Sequence, residues 1–379
     1  MVRKLDIIAT RGVVSGIEVA VADAFCDTQQ LIDLQEGRVG GMIYRRRGFP
    51  ALRPAETKIA ELEHTESAIL FCSGMAAVST TLSALVRVGE HLILTDEGNV
   101  TIRGYFTKVL PSFGIEVTTV PINDLVNLKN YIKENTVLFF SELPTNPFLR
   151  VINLEQLADA AREKGIITVI DATFASPLNI QPIDYGLDLV LHSATKYLGG
   201  HHDLSAGTVA GKEELISRIR EQRNLLGTNI APFDYFLLAR SLQTFSLTMN
   251  LRNKTALEIA EYLEQHPKVK AVWYPGCRSH PDYELAKKQM SGYGGVITFE
   301  LKANGEETSR FVDTLTIPYL AHNFGGCTST IEQHALFTHY DQREEAQKRG
   351  LGSNLLRYSV GFEDVGEIKR DFEQAFKAF

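Results

Sequence analysis

The sequence predicts an α/β fold, a doubly wound and mostly parallel sheet with a smaller C-terminal α+β domain. Three observations carry that prediction. Ile166-Ile167-Thr168-Val169-Ile170 and Leu187-Asp188-Leu189-Val190-Leu191 are short apolar runs of the kind made by parallel strands buried on both faces. Runs of similar length alternate with amphipathic helical stretches along the first part of the chain, which is the βαβ signature. Around 227–232 the pattern changes, and a long helical stretch leads into a second set of strands.

At 379 residues the chain exceeds the size at which one core stops growing. We expect an N-terminal arm over 1–43, a larger domain over 44–232 and a C-terminal domain over 233–379. Composition is that of a globular protein, 44% hydrophobic and 22% charged, with a net charge of −7 and no long basic block, so nucleic acid is not an expected partner. Met1 to Ile8 hold too short an apolar stretch for a signal peptide, and no run approaches a membrane span. Cys26, Cys72, Cys277 and Cys327 lie far apart and form no CxxC pair, which argues against a zinc site or a disulfide framework and for a reducing cytoplasm.

Taken in order, the arm shows weak periodicity, with one helix expected over Val19–Leu34. Tyr44-Arg45-Arg46-Arg47-Gly48-Phe49-Pro50 is a basic loop with aromatics. Adjacent arginines are ordinarily a solvated face, but here Gly and Pro shape a turn, and Tyr with Arg suits a phosphate. Pro54–His64 reads as a helix and Ala68–Phe71 as a strand, with Cys72-Ser73-Gly74-Met75 turning into a helix over Ala76–Val86. Such a turn offers free N–H groups and the positive end of a helix to an anion, although any βα turn can carry a glycine. His91–Leu94, Gly114–Val120 and Val137–Phe140 continue the strands. The last leads into Ser141-Glu142-Leu143-Pro144-Thr145-Asn146-Pro147, a loop made rigid by its prolines. By itself it reads as a plain turn with Asn146 bonding its own backbone. The helix Leu154–Lys164, stopped by Gly165, completes a βαβ unit into Asp171. Beyond 232 come a helical stretch over Phe233–Leu263 with a break, then strand-like runs at Val269–Tyr274, Gly295–Leu301 and Leu355–Val360.

Ligands of open α/β sheets bind at the carboxyl ends of the strands. Asp171 follows the first apolar run, and Ser193, Thr195 and Lys196 follow the second. An acid at one strand end and a lysine past the next suggest pyridoxal phosphate, which needs an amine for its Schiff base and a carboxylate to keep its ring nitrogen protonated. In an extended segment Ser193 and Thr195 point the same way, so their hydroxyls would converge on one phosphate while Lys196 points elsewhere. The rival account is an ordinary surface lysine. Gly199-Gly200-His201-His202-Asp203 is read as a Gly-rich loop near the cofactor and not as a metal site, because adjacent histidines cannot easily share a tetrahedral ion. Arg357 stands inside a strand-like run, where burial demands a partner; a bound carboxylate or a structural ion pair would serve equally.

On these residues the chain resembles the pyridoxal-phosphate enzymes of sulfur amino-acid metabolism, the group of cystathionine synthases and lyases, methionine γ-lyase and O-acylhomoserine sulfhydrylases. The resemblance runs from Tyr44 to the C-terminus. It is most specific at 141–147, at His192-Ser193-Ala194-Thr195-Lys196-Tyr197-Leu198-Gly199-Gly200-His201 and at Leu356-Arg357-Tyr358-Ser359-Val360-Gly361-Phe362-Glu363. It implies a fold-type I architecture, Lys196 as the Schiff-base lysine, Asp171 as the partner of the pyridinium, and Asn146 near cofactor and substrate. It also implies that Ser73, Gly74, Met75, Ser193 and Thr195 hold the phosphate, that a neighbouring subunit supplies Tyr44 and Arg46, and that Arg357 binds the substrate α-carboxylate. Such shared sites imply a homo-oligomer, a dimer at least and usually a tetramer.

Several residues depart from the family. Asn99-Val100-Thr101 stands where the family has a ring-stacking tyrosine implicated in proton transfer; Tyr105 and His202 are candidates to replace it. Phe49 and Ala51 replace Asn and Thr around Pro50, Ala172 replaces Asn, and Asn323-Phe324-Gly325-Gly326 replaces Ser-Leu-Gly-Gly. The cofactor grip is thus expected intact and the substrate side, with Asn99 and Asn323, altered. The expected activity is γ-replacement or γ-elimination on a homoserine-derived or sulfur-containing amino acid. β-Elimination or a specialised reaction on an unusual amino acid comes second. A cofactor-binding protein with little catalysis comes third, and Lys196, Asp171 and Arg357 argue against it.

Overall fold

The computed structural model describes residues 16–48, 52–338, 340 and 350–379. Met1 to Ile8, Phe49, Pro50 and Ala51 lie outside the described residues. Seven strands, β1 (Ser67–Phe71), β2 (His91–Thr95), β3 (Glu116–Val120), β4 (Thr136–Glu142), β5 (Ile167–Asp171), β6 (Leu189–His192) and β7 (Gly207–Gly211), form a sheet in the order β1-β7-β6-β5-β4-β2-β3. From β6 to β3 every neighbouring pair is parallel, and β7 runs antiparallel to both β6 and β1.

Both faces of this sheet are buried, which is why its strands read as continuous apolar runs. Phe71, Leu94, Phe140, Val169 and Leu191 pack on one side against Ala77, Leu82, Phe106 and Ile219, whereas Phe139, Ile170 and Val190 pack on the other with Leu154, Leu157 and Ala161. The apolar residues at i, i+3 and i+4 of the helix Leu154–Arg162 are what that second side recruits.

Sequence periodicity misses β7. Its sequence, Gly-Thr-Val-Ala-Gly, reads as a turn because two glycines dilute the strand signal, but the structure shows why one of them is there. A Cβ on Gly207 would lie 2.2 Å from the Ser73 carbonyl oxygen, so the strand can pass the β1 turn only without a side chain.

A second sheet holds β8 (Val269–Trp273), β9 (Val296–Leu301), β10 (Tyr319–Leu320), β11 (Thr330–Gln333) and β12 (Leu355–Ser359), in the order β10-β11-β12-β9-β8. It is antiparallel except for the short β10–β11 pair. β10 and β11, of two and four residues, are too short to leave a strand pattern in the sequence. One apolar cluster joins this sheet to the first, with Phe299, Phe311, Tyr358 and Phe372 at one end and Leu70, Ala194 and Ala210 at the other. The expected helix at 233–263 breaks at Gln243–Thr244 into Pro232–Leu242 and Phe245–Gln265. The helix expected over Val19–Leu34 is confined to Thr28–Gln35. Asp27 caps its start by accepting from Gln30 N at 2.8 Å, and Val19 and Val21, exposed, have no packing to extend it.

Replacing Gly207 by Ala should destabilise the protein by about 1–3 kcal/mol through overpacking against the Ser73 turn. Urea unfolding measures this, and an unchanged midpoint would show that β7 does not press on that turn.

Candidate active site

The carboxyl ends of β4, β5 and β6 lie side by side, with Glu142 opposite Asp171 and Asp171 opposite Leu191. Past them the chain makes the turns that carry the predicted residues. Ser73, after β1, caps the helix Gly74–Leu85, its Oγ accepting from Ala76 N at 3.0 Å. The first N–H groups of that helix have no acceptor within it, and its dipole favours an anion. Ser193 abuts this turn so closely that a Cβ on Gly74 would lie 3.0 Å from Ser193 Oγ. The Met75 side chain packs against the apolar layer beside this helix.

The expected geometry of Ser193 and Thr195 needs correcting. Strand β6 ends at His192, and Lys196 N donates to Ser193 O at 3.0 Å, so 193–196 is a turn and the two hydroxyls do not share one direction. Thr195 Oγ1 donates to Ala206 O (3.1 Å) and accepts from Ala206 N (3.0 Å), which ties the lysine turn to the chain entering β7. Ser193 N donates to Thr173 Oγ1 at 2.8 Å.

Thr173 in turn sends two bonds to Asp171 Oδ1, one from its N–H at 3.0 Å and one from its hydroxyl. Oδ2 carries no bond among the described residues. Burial pushes the Asp171 carboxyl above its ordinary range, against the pull of the Thr173 bonds. Its neighbour Glu142 is pushed up to about 8, by burial first and by the Asp171 charge second. Glu142 Oε1 accepts from Asn99 N at 2.5 Å.

Lys196 Nζ donates to Asn323 Oδ1 and sits 4.9 Å from the centre of the Phe324 ring. Burial first and the Arg357 charge second lower its pKa to about 8, against the opposing Glu332 charge. The loop that brings Asn323 here depends on Gly325, which has φ +83° and where a Cβ would lie 2.9 Å from Tyr197 N. Phe324 stacks on Phe174 at 4.5 Å, and the Arg357 guanidinium lies 5.7 Å from one ring and 5.9 Å from the other.

Arg357 Nη1 donates to Asn146 Oδ1 at 3.1 Å, and Nη2 pairs with Glu332 Oε2 at 3.0 Å. Glu332 faces Arg357 directly across the β11–β12 ladder. Burial opposes its charge, but Arg357 together with hydrogen bonds from His322 (2.5 Å) and His334 (3.1 Å) holds the carboxyl well below the usual range. The carboxylate expected for Arg357 therefore exists within the chain. Beside it a cavity of about 350 Å³ is lined by Glu97, Arg103, Asn146, Phe148, His334 and Leu351, among others.

A family model for Cys/Met metabolism PLP-dependent enzymes matches residues 5–377. The chain belongs to that family. It is 42% identical over 373 residues to the chloroplastic cystathionine gamma-synthase 1 of Arabidopsis thaliana, covering 98% of this chain and 66% of that protein. It thus spans about two thirds of that relative's length. It is 38% identical over 345 residues to an L-methionine gamma-lyase of Fusobacterium nucleatum subsp. nucleatum, covering 89% of this chain and 86% of the relative. The crystal structure of cystathionine gamma-lyase from Lactobacillus plantarum complexed with L-serine superposes with a TM-score of 0.88 at 34% identity, covering 96% of this chain and 93% of that one.

This PLP-dependent family member has the doubly wound, mostly parallel sheet and smaller second sheet expected of fold-type I. Its residues fit the cofactor. Asp171 is a buried acid with one oxygen unbonded, Lys196 is an amine with a lowered pKa, and the tight Gly74–Ser193 contact leaves a helix N-terminus open to a phosphate.

Not every predicted residue joins the site. Asn99 Oδ1 accepts from Thr101 N (2.9 Å) and Ile102 N (3.3 Å), so its oxygen caps the helix Val100–Gly104. Tyr105 packs into the apolar layer with Met75, and burial raises its hydroxyl pKa. Tyr44 is exposed with Arg46 5.6 Å over its ring; Arg46 Nη1 donates to Asn224 O, and the Arg46 backbone carbonyl accepts from Asn229 Nδ2. Glu332, Phe174 and Thr173 escaped the sequence reading. Thr173 and Phe174 lie two and three residues after Asp171, a spacing that signals proximity, but Glu332 lies in a strand with no strand signal.

Glu332→Ala should cost about 3–5 kcal/mol at neutral pH by leaving Arg357 buried without its counter-charge. Because the folded carboxyl titrates below its unfolded value of about 4.3, this contribution is whole above that pH and lost as the pH falls below it. Denaturant titrations at pH 7 and pH 3.5 should therefore show the gap between variant and wild type shrinking; an equal gap would assign the loss to packing alone.

Proposed function

We propose that this enzyme catalyses γ-replacement or γ-elimination on a homoserine-derived or sulfur-containing amino acid. The observation that carries the reading is one arrangement: an amine with a lowered pKa and a buried guanidinium flank the same aromatic pair, Phe174 and Phe324. Bound pyridoxal phosphate supplies an electron sink for a carbanion formed at the amino-acid α-carbon. Lys196 is the amine that receives the α-proton, and its lowered pKa keeps a useful fraction neutral near pH 7.

Asp171, through its Oδ2, and Asn146 would hold the ring end of the cofactor, and Ser73, Gly74, Met75, Ser193 and Thr195 would hold its phosphate end, with Thr195 acting through the loop it ties to Ala206. Arg357, held by Glu332 and Asn146, orients the substrate carboxylate. The cavity beyond Asn146 is where a γ-substituted side chain extends. Names of relatives that include both a synthase and a lyase support the γ class without choosing between them.

We assign 1–43 to an arm, 44–232 to the cofactor-binding domain and 233–379 to the second domain. The exposed Tyr44–Arg46 pair supports a homo-oligomer, dimer or tetramer, in which these residues reach a neighbour's phosphate. Among the described residues no helix is long and apolar enough to cross a membrane. Cys26, Cys72, Cys277 and Cys327 are free thiols, which supports a reducing, cytoplasmic setting.

Purified enzyme should release keto acid, or form a replacement product, from O-acetylhomoserine or cystathionine but not from cysteine. Lys196→Ala should lower turnover by roughly 10²–10⁴-fold or more. Turnover of cysteine alone would move the enzyme to β-elimination. Wild type with no turnover on any amino acid tested, or Lys196→Ala as active as wild type, would sink the reading. Arg357→Lys should raise KM roughly tenfold or more, because the two-pronged contact is lost.

A further inference from the structure

Lys196 shares its hydrogen-bond partner with a second titratable group. Asn323 Oδ1 accepts from Lys196 Nζ, and Asn323 Nδ2 donates to His202 Nδ1 at 2.9 Å. On its other side His202 Nε2 lies 3.4 Å from Thr328 O. The donor inventory fixes each role. An ammonium can only donate, so it takes the amide oxygen; the amide nitrogen can only donate, so His202 Nδ1 is unprotonated and Nε2 carries the proton directed at Thr328 O. The imidazole is therefore neutral in this arrangement.

Turning the amide by half a revolution gives the opposite arrangement. Nδ2 then donates to the lone pair of a neutral Lys196 amine, and Oδ1 accepts from Nδ1–H of a charged His202. With both groups charged, the amide has one oxygen for two cations and its N–H groups face a donor. We propose that Asn323 is a two-position amide that lets Lys196 or His202, but not both, carry the extra proton. The inference rests on the reading of Lys196 as the base. It makes Asn323 and His202 positioning residues that set which of the two groups holds the proton, with Lys196 holding it in the arrangement observed. Protons are conserved through solvent: one leaves Lys196, and His202, being exposed, takes one from water.

The surroundings agree. Partial burial pulls His202 below its ordinary pKa, the Thr328 bond opposes this, Lys196 and Arg252 add to the lowering, and Asp203 opposes it. Arg252, which Cys327 also faces, holds the two loops together through Gly200 O (3.2 Å) and Gly325 O (2.9 Å), so the distance between Asn323 and His202 is set by a buried side chain.

The test follows the His202 ring nitrogens by NMR in protein labelled at histidine, both cofactor-free and loaded, with His202→Gln to assign the signal. At neutral pH the wild-type ring should be the neutral Nε2–H form. Lys196→Met should raise the His202 pKa by about one unit or more, and the same change made in Asn323→Ser should move it far less. Asn323→Asp, with two acceptor oxygens, should raise the His202 pKa with Lys196 intact. In the loaded enzyme Asn323→Ser should shift the acid limb of kcat, which reports Lys196 once substrate has freed it, to lower pH, because the ammonium loses the amide oxygen that accepts from it. Equal His202 shifts with and without the amide, or an Asn323→Asp variant whose His202 titrates as in wild type, would overturn the proposal. Full turnover by Lys196→Met would instead overturn the base reading, a separate result from the same variants.

Discussion

A buried arginine that must stay charged is the constraint on which this site depends. Arg357 lies inside a sheet, where an unpaired guanidinium would cost several kcal/mol. Glu332, directly across the ladder, supplies the counter-charge, and His322 and His334 keep that carboxylate ionised. Asn146 adds a bond from the loop after β4. One ion pair in the second sheet is thereby fastened to a strand end of the first. The ladder sets the distance between the two charges, so neither can drift away without breaking strand pairing.

From this fixed point the rest of the site can be located. The Phe174–Phe324 stack lies against the guanidinium, and the loop carrying Phe324 is pressed onto the backbone of Lys196 and Tyr197 at Gly325. Arg252, buried with its Nη2 shared among three carbonyls, clamps that loop to the Gly199–Gly200 turn. Lysine, aromatic pair and arginine therefore form one packed unit. A change in any of them is transmitted through contacts that have little room to relax.

Burial acts on the titratable groups in opposite directions, and the site uses both. Removing water favours the neutral form, so Lys196 falls while Asp171 and Glu142 rise. A lysine of lowered pKa is a better base near neutrality. A buried acid with one oxygen free is a receptor for a cationic ring N–H, whose charge would restore its own. Glu142 marks the limit of this arrangement: beside Asp171 it takes the proton that two adjacent carboxylates cannot both do without.

Much of the first sheet was legible because its strands are buried on both faces, which writes them as apolar runs whatever their neighbours. Asp171 and Lys196 were legible because they follow such runs, and Arg357 because a charge in a strand announces a partner. β7 was hidden by two glycines: Gly207 must clear the Ser73 backbone, 134 residues earlier, and Gly211 the Asp188 carbonyl, contacts that no local window contains. Glu332 was hidden in a strand of mostly polar residues. The cap that Asn99 Oδ1 gives the helix it starts is likewise hidden, because the loop around it departs from the family pattern.

The sequence alone determined the class of fold and the cofactor, and it pointed to Asp171 and Lys196 as residues at strand ends and to Arg357 as a charge inside a strand. Tertiary structure decided which groups share a hydrogen bond. The turn at 193–196 arises from where a strand happens to stop, the partner of Arg357 from the register of two strands 25 residues apart, and the amide between Lys196 and His202 from segments more than a hundred residues apart. Periodicity reports which face of an element is apolar; it carries no information about which distant polar atom will meet which.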